Sequence, residues 1–568
     1  MHPASAPQTI EAPRRASQTR VRTYNRTRMT ALLALADDVW AWRARTQPVS
    51  GDDIPRLERP PGWTPDWSAA AVAQQATEAQ SFQARWRALA DDAQTWPVAD
   101  QVDYRLIGSA LARVTWERDV LQSWRRNPRF YVYQTLGPVF EALLPPPPFG
   151  PRRVADLLAR AESIPATLEA ARANLDGHAL QPFARLAIDA LADIGARLAD
   201  VARALEPHLE REVQARLSDA LQTAGQELDG FRAWLQQHLD GLPTQTAIGR
   251  AAYLDFLRKV ALIPLTPEQI LAGARQELER AVTFEALEQR RNRGRPEPEL
   301  PTTVEEQIER EASGERMLRS FCEQNDLLSF PSWLRRYRNL PLPAYLEPLR
   351  ALGVTDDLTS PTRLDQDGVS YIPSPRADLP YFYLAMARDP RTLIAHEGMH
   401  YYQLARSWQQ PNPIRRHFYD SGPNEGIGFY AEEMLLQAGL FEDQPRSRET
   451  IYNFMRLRAI RVEVDVRLAV GELTLEAAAD ELARRVPMDV ETARDEAAMF
   501  ATEPGQAISY QVGKLQILGF LSDARAARAD DFDLRQFHDA LWVDGNVPIA
   551  LQRWQALNTA DEVKLLPL

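Results

Sequence analysis

Along most of the chain, apolar residues recur every three or four positions, the spacing that lines one face of an α-helix. The rhythm is clearest from Val154 to Leu239, a stretch rich in Ala, Leu, Arg, Glu and Gln and poor in Gly and Pro. It predicts several long amphipathic helices packed together. Leu144-Pro145-Pro146-Pro147-Pro148-Phe149 lies just before it. Proline has no amide donor for a helix interior, so a rigid connector is expected there. Another helix is predicted to open at Thr266-Pro267-Glu268-Gln269. Thr266 can cap it, Pro267 suits its first turn, and Gln269 completes the capping-box spacing. The charged, proline-bearing stretch from Arg290 to Pro301 predicts an exposed loop.

The pattern changes between Asp365 and Arg388. Val369-Ser370-Tyr371-Ile372 and Tyr381-Phe382-Tyr383-Leu384-Ala385-Met386 have strand-like composition, with Pro373, Pro375 and Pro380 between them. They predict a small β-hairpin in a mainly α protein. Helical spacing returns at Thr392 and continues to the end, and no fixed-period repeat is present. At 568 residues the chain exceeds one ordinary domain. The expected organisation is a leader over 1–28, an N-terminal helical region over 29–300 and a C-terminal helical region over 301–568.

Composition narrows the class. Hydrophobic residues at 45% and charged residues at 25% are ordinary for a globular protein and exclude wholesale disorder. No run of about 18 apolar residues predicts a membrane span. The first fifteen residues lack the apolar core of a secretory signal, so none is expected. The single cysteine, Cys322, cannot close an internal disulfide, which fits a reducing cytoplasm. A net charge of -12 argues against general nucleic-acid binding. Only the start departs from this balance: Arg14, Arg15, Arg20, Arg22, Arg26 and Arg28 crowd together with little acid between them. They read as a solvated leader before a fold that begins near Met29.

The chemistry concentrates in Thr392-Leu393-Ile394-Ala395-His396-Glu397-Gly398-Met399-His400, which contains H-E-x-x-H. Residues four apart project from the same face of a helix, so His396 and His400 can share one Zn²⁺ at about 2.0–2.1 Å, with Mn²⁺ or Co²⁺ as alternatives. Glu397 lies one step round the helix and can take a proton from a water beside the metal. With only 8 histidines in the chain, a chance match to this pattern is rare. Glu425, 25 residues after His400, leads as third ligand. The gap allows a turn at Pro411-Asn412-Pro413 and a returning helix, and Gly426 and Gly428 would let the helices approach closely. Glu432 and Glu433 compete with it; Glu432, two turns further along, could instead support a ligand. His417, beside Arg415 and Arg416, reads as a surface residue.

These residues resemble the family called domain of unknown function 885. The likeness rests on His396-Glu397 with His400 and Gln403, on Glu425-Gly426 with Tyr430-Ala431-Glu432, and on Arg458 to Asp465. It continues through Glu503 to Lys514, Phe537-His538-Asp539-Ala540-Leu541 and Gly545-Asn546-Val547-Pro548. It covers the chain from about Leu32 and is sharp from Tyr371 onward. Members are related in architecture to the thimet-oligopeptidase-like and carboxypeptidase-Taq-like gluzincins. The resemblance therefore implies a large helical body with a deep channel and a short strand beside the metal. It implies that Tyr510 faces the metal and polarises the scissile carbonyl, with His538 in the same service or orienting substrate. Asp465 could hold the far ring nitrogen of a ligating histidine, or pair with Arg461 four residues earlier. Three departures stand out: Gly398-Met399-His400-Tyr401 replaces a Pro-Gly-His-His run, Glu425-Gly426-Ile427-Gly428 replaces Glu-Gly-Trp-Ala, and Ala469 stands where relatives often have histidine.

The expected activity is zinc-dependent hydrolysis of short peptides or small amides, with the Tyr381–Met386 segment binding substrate backbone by strand addition. Rival readings are hydrolysis of a non-peptide metabolite amide or ester, and ligand binding without catalysis. A monomer or homodimer is expected, with neither nucleic-acid nor membrane partners.

Overall fold

The computed structural model describes residues 14–50, 56–353, 356–357, 359–486 and 488–567. The fold is mainly α. The Val154–Leu239 rhythm resolves into helices Pro151–Leu175, Gln181–Ala190, Ile194–Leu205 and Arg211–His238. Their apolar stripes meet in one core that includes Leu157, Leu168, Leu198, Leu221 and Phe231. Helix Pro128–Leu143 stops where the proline run begins. The capping box at Thr266 is formed on helix Pro267–Arg291: Thr266 Oγ1 accepts from the Gln269 amide, and Gln269 Oε1 accepts from the Thr266 amide at 2.9 Å.

Two expectations change. The leader over 1–28 does not wholly precede the first helix, which runs from Arg14 to Thr46. Arg, Gln and Ala tolerate helix well, and Leu32, Leu35, Ala36 and Val39 bury its later turns. Residues 1–13 lie outside the described residues. Nor does Tyr381–Met386 form a strand: it belongs to helix Tyr381–Arg388. Pro380 stands at its N-cap, and Leu384, Ala385, Met386 and Ala387 are strong helix formers that outweigh the aromatic start.

The remaining strand signal is real, but its partners are not Tyr381–Met386. Gly368–Ile372 is the middle strand of three, parallel to Tyr337–Pro341 and antiparallel to Asp356–Asp357. It is buried along its whole length, which explains its continuous apolar character. Both of its edges are paired. Tyr371 donates to the Leu144 carbonyl at 2.9 Å, tying the sheet to the proline connector.

In the C-terminal half, helix Ser421–Ala438 packs along Gln506–Arg528, and Pro445–Val470 packs along Pro267–Arg291. The first pair touches backbone to backbone. A Cβ on Gly426 would lie 2.6 Å from Gly513 Cα, and one on Gly513 would lie 2.1 Å from the Gly422 carbonyl oxygen. Glycine at both positions lets the two helices approach this closely.

Candidate metal centre

The H-E-x-x-H segment is not a plain α-helix. Ile394–Gly398 forms a π-helical turn that passes into helix Met399–Ser407. Such turns recur at functional sites, because the extra residue per turn re-aims side chains. Here His396 Nε2 and His400 Nε2 lie 3.0 Å apart, with ring planes nearly perpendicular at 88°.

Glu425, in the second turn of Ser421–Ala438, completes the group. Its Oε2 lies 3.2 Å from Nε2 of each histidine. All three residues are buried, at 5%, 3% and 6% exposure for His396, His400 and Glu425. Ligand atoms around a tetrahedral Zn²⁺ stand about 3.3 Å apart, so this near-equilateral triangle fits a divalent cation with one corner left over. Among the described residues it is the one group of three or more His, Cys, Asp or Glu close enough to hold a metal. Gly428 makes room for it: a Cβ there would lie 2.8 Å from His396 Cε1 and 2.9 Å from His400 Cε1.

The charges around the triangle reinforce one another. Burial alone would lower the His396 pKa, but contacts with Glu425 and Glu432 raise it to about 9. Burial works the other way on Glu425, and the two imidazoles outweigh it and hold the carboxyl well below its usual range.

Behind the ligands a chain of contacts leads away. Glu432, fully buried and seven residues after Glu425, places Oε1 2.8 Å from His396 Nδ1. The same oxygen accepts from Arg458 Nη2 at 2.9 Å. Glu432 therefore supports His396 rather than joining the ligands. Glu433 faces elsewhere, pairing with Lys514 at 2.8 Å and with Arg280. His417 lies between Trp40 and Trp408 with Nδ1 3.0 Å from the Arg56 carbonyl oxygen, away from the triangle.

Glu397 is half-buried where its neighbours Ala395, His396 and Gly398 are buried. No hydrogen bond or ion pair engages its carboxylate among the described residues, which leaves it available for proton transfer. Tyr510, on Gln506–Arg528, stacks on His396 with ring centroids 5.8 Å apart and planes at 15°. The guanidinium carbons of Arg461 and Arg458 lie 5.0 and 5.4 Å from the Tyr510 ring centroid. These two arginines were not singled out for the site from sequence; their polar side chains on the inward face of a buried helix were the available signal.

His538 is not brought to the triangle. Its Nδ1 lies 2.6 Å from the Leu327 carbonyl oxygen and its Nε2 2.8 Å from the Tyr430 hydroxyl, deep in an aromatic cluster. With both nitrogens engaged and the ring fully buried, it braces Tyr430. Asp465 meets neither a ligating histidine nor Arg461, which pairs with Glu496 instead. Its carboxylate accepts from the amides of Gly505, Ala507 and Ile508 at 2.8 to 3.3 Å. It thus caps the helix that carries Tyr510 from a different helix. Gly505 makes that turn at φ +99°, where a Cβ would strike Phe256.

A family model described as "Bacterial protein of unknown function (DUF885)" matches residues 59–316 and 345–554. The chain belongs to this family. The DUF885 match spans both halves of the chain and includes the His396, His400 and Glu425 group. No curated protein matches the chain. Two solved structures share the DUF885 chain's fold. One is a candidate lipoprotein of unknown function from Shewanella oneidensis, at 18% identity and a TM-score of 0.69, covering 93% of this chain and 99% of that one. The other, a candidate lipoprotein from Colwellia psychrerythraea, is 17% identical with a TM-score of 0.60, covering 76% of this chain and 78% of that one. No helix among the described residues is long and apolar enough to cross a membrane.

Proposed function

We propose that this DUF885 protein is a metal-dependent hydrolase of the gluzincin type, acting on short peptides or small amides. The observation that carries the reading is the convergence of His396, His400 and Glu425, with Glu425 Oε2 equidistant from both Nε2 atoms and Glu397 half-open beside them. Two histidines and a carboxylate suit Zn²⁺, with Mn²⁺ or Co²⁺ as alternatives. A cation held there would polarise the substrate carbonyl and lower the pKa of a water toward neutrality.

The chain's own residues supply the rest. Glu397 takes the proton from the attacking water and returns it to the leaving nitrogen. Tyr510 donates its hydroxyl hydrogen to the developing oxyanion, and Arg458 and Arg461 over its ring favour negative charge there. Glu432, 2.8 Å from His396 Nδ1, sets a carboxylate charge behind the His396 ring, on the side away from the triangle. The test is turnover of a mixed short-peptide library by metal-loaded protein, followed by mass spectrometry. Cleavage that a chelator abolishes and Zn²⁺ restores supports the proposal; no cleavage of any peptide or acyl amide contradicts it.

A further inference from the structure

A partly open chamber lies between the N-terminal helices and the starts of Ser421–Ala438 and Gln506–Arg528. Its cavity volume is about 160 Å³, below the ~300–1000 Å³ of drug-sized ligand sites and enough for a single bulky side chain. Its walls are unusually aromatic: Trp42, Trp67, Trp116 and Trp124 line it, together with Phe130 and Phe256. Four of the 13 tryptophans thus line one cavity. The arginines in its lining are each matched by a carboxylate. Arg43 pairs with Glu117 at 3.0 Å, Arg113 with Asp420 at 2.8 Å, and Arg118 with Asp119 at 2.6 Å. Such a lining offers broad π faces and no uncompensated arginine, so it favours an uncharged aromatic or bulky apolar group.

It lies close to the candidate metal centre along two shared helices. None of His396, Glu397, His400 and Glu425 lines the chamber, but Gly422 and Ser509 do. Gly422 precedes Glu425 by three residues on one helix, about 4.5 Å along the axis. Ser509 immediately precedes Tyr510. The chamber therefore ends against the first turns of the two helices that carry a metal ligand and the proposed oxyanion donor.

We infer that this chamber is a specificity pocket that receives an aromatic or bulky apolar side chain of the substrate. The inference rests on the hydrolase reading of the neighbouring triad and names the substrate class that reading leaves open. Burying a phenyl ring in such a pocket, against leaving it in water, corresponds to a preference of at least about tenfold.

The test is calorimetric binding to the Glu397→Gln protein, which separates recognition from turnover. Acetyl-Phe-Ala-amide is compared with acetyl-Gly-Ala-amide. The Phe peptide is expected to bind at least about tenfold tighter. Thr46→Trp and Val72→Trp, at half-buried lining positions, fill the chamber from two different helices and should each bring the ratio close to one. Two variants are used so that misfolding of one leaves the other decisive. Equal binding of the two peptides, or a ratio that survives in a folded filled variant, overturns the inference. If the ratio behaves as expected but wild-type protein cleaves neither peptide, the pocket stands and the hydrolase reading fails.

Discussion

The Oε1 atom of Glu432 lies 2.8 Å from Nδ1 of His396, on the side of the ring facing away from Glu425. An imidazole held at one nitrogen presents the other in a fixed direction, and a carboxylate at Nδ1 raises the basicity of Nε2. Replacing Glu432 with Gln keeps the shape and removes the charge. Metal affinity should fall about 10- to 100-fold, read by competition with a fluorescent chelator. Unchanged affinity would show that Glu432 serves only to neutralise Arg458.

Glu397 has the opposite character: it acts on neighbouring His396 only through its charge, and no hydrogen bond or ion pair holds its carboxylate among the described residues. Glu397→Gln should therefore bind one metal per chain as the parent does, while turnover drops by about 10²–10⁴. Metal content and rate measured on the same preparation check both halves. Retained turnover would remove Glu397 from proton transfer.

Backbone contact between helices makes a second class of prediction. Gly513→Ala would place a Cβ 2.1 Å from the Gly422 carbonyl oxygen, so the two helices must separate. Stability should fall by at least about 1–3 kcal/mol in urea unfolding. Gly428→Ala presses on both histidine rings instead, so it should weaken metal binding more than it lowers stability. Equal effects of the two substitutions on both readouts would contradict this division.

Much of this site was legible because helical geometry is local. Four residues on a helix bring His396 and His400 to one face whatever the rest of the chain does, and the following loop and returning helix carry Glu425 back to them. Long-range choices were not legible. Tyr381–Met386 has aromatic residues that suit a strand, but Pro380 and the Leu-Ala-Met-Ala run made it a helix. The spacing of Arg461 and Asp465 suggested a pair, yet each found a better partner on another element, Glu496 and the amides after Gly505. His538 looked catalytic by resemblance, while its neighbours in space, Leu327 and Tyr430, come from distant parts of the chain. The aromatic chamber draws its lining from residues 42 to 509, a gathering that no local pattern encodes.

Glu311 is one of the buried groups that make stability depend on pH. Glu311, on the helix Val304–Gln324 that packs against the π-helical turn Ile394–Gly398, is 1% exposed. Burial pushes its carboxyl up to about 8, against a single opposing hydrogen bond from Gln307. The folded state therefore holds a proton that the unfolded chain releases near its ordinary value of 4.5. The stabilisation linked to that proton is complete below that value and is lost as pH rises through about 8. Glu311→Gln, which cannot ionise, should match the parent near pH 4 and exceed it by a few kcal/mol above pH 8 in urea unfolding. A stability difference that does not change with pH would contradict this.

The central claim is that three side chains converge on one divalent cation. The most direct test is metal content after purification and Zn²⁺ loading, with X-ray absorption at the metal edge to read the ligands. The account predicts one ion per chain bound by two imidazoles and a carboxylate, and its loss in His400→Ala and Glu425→Ala. Less than about 0.2 equivalents after loading, or full occupancy in both variants, would contradict it.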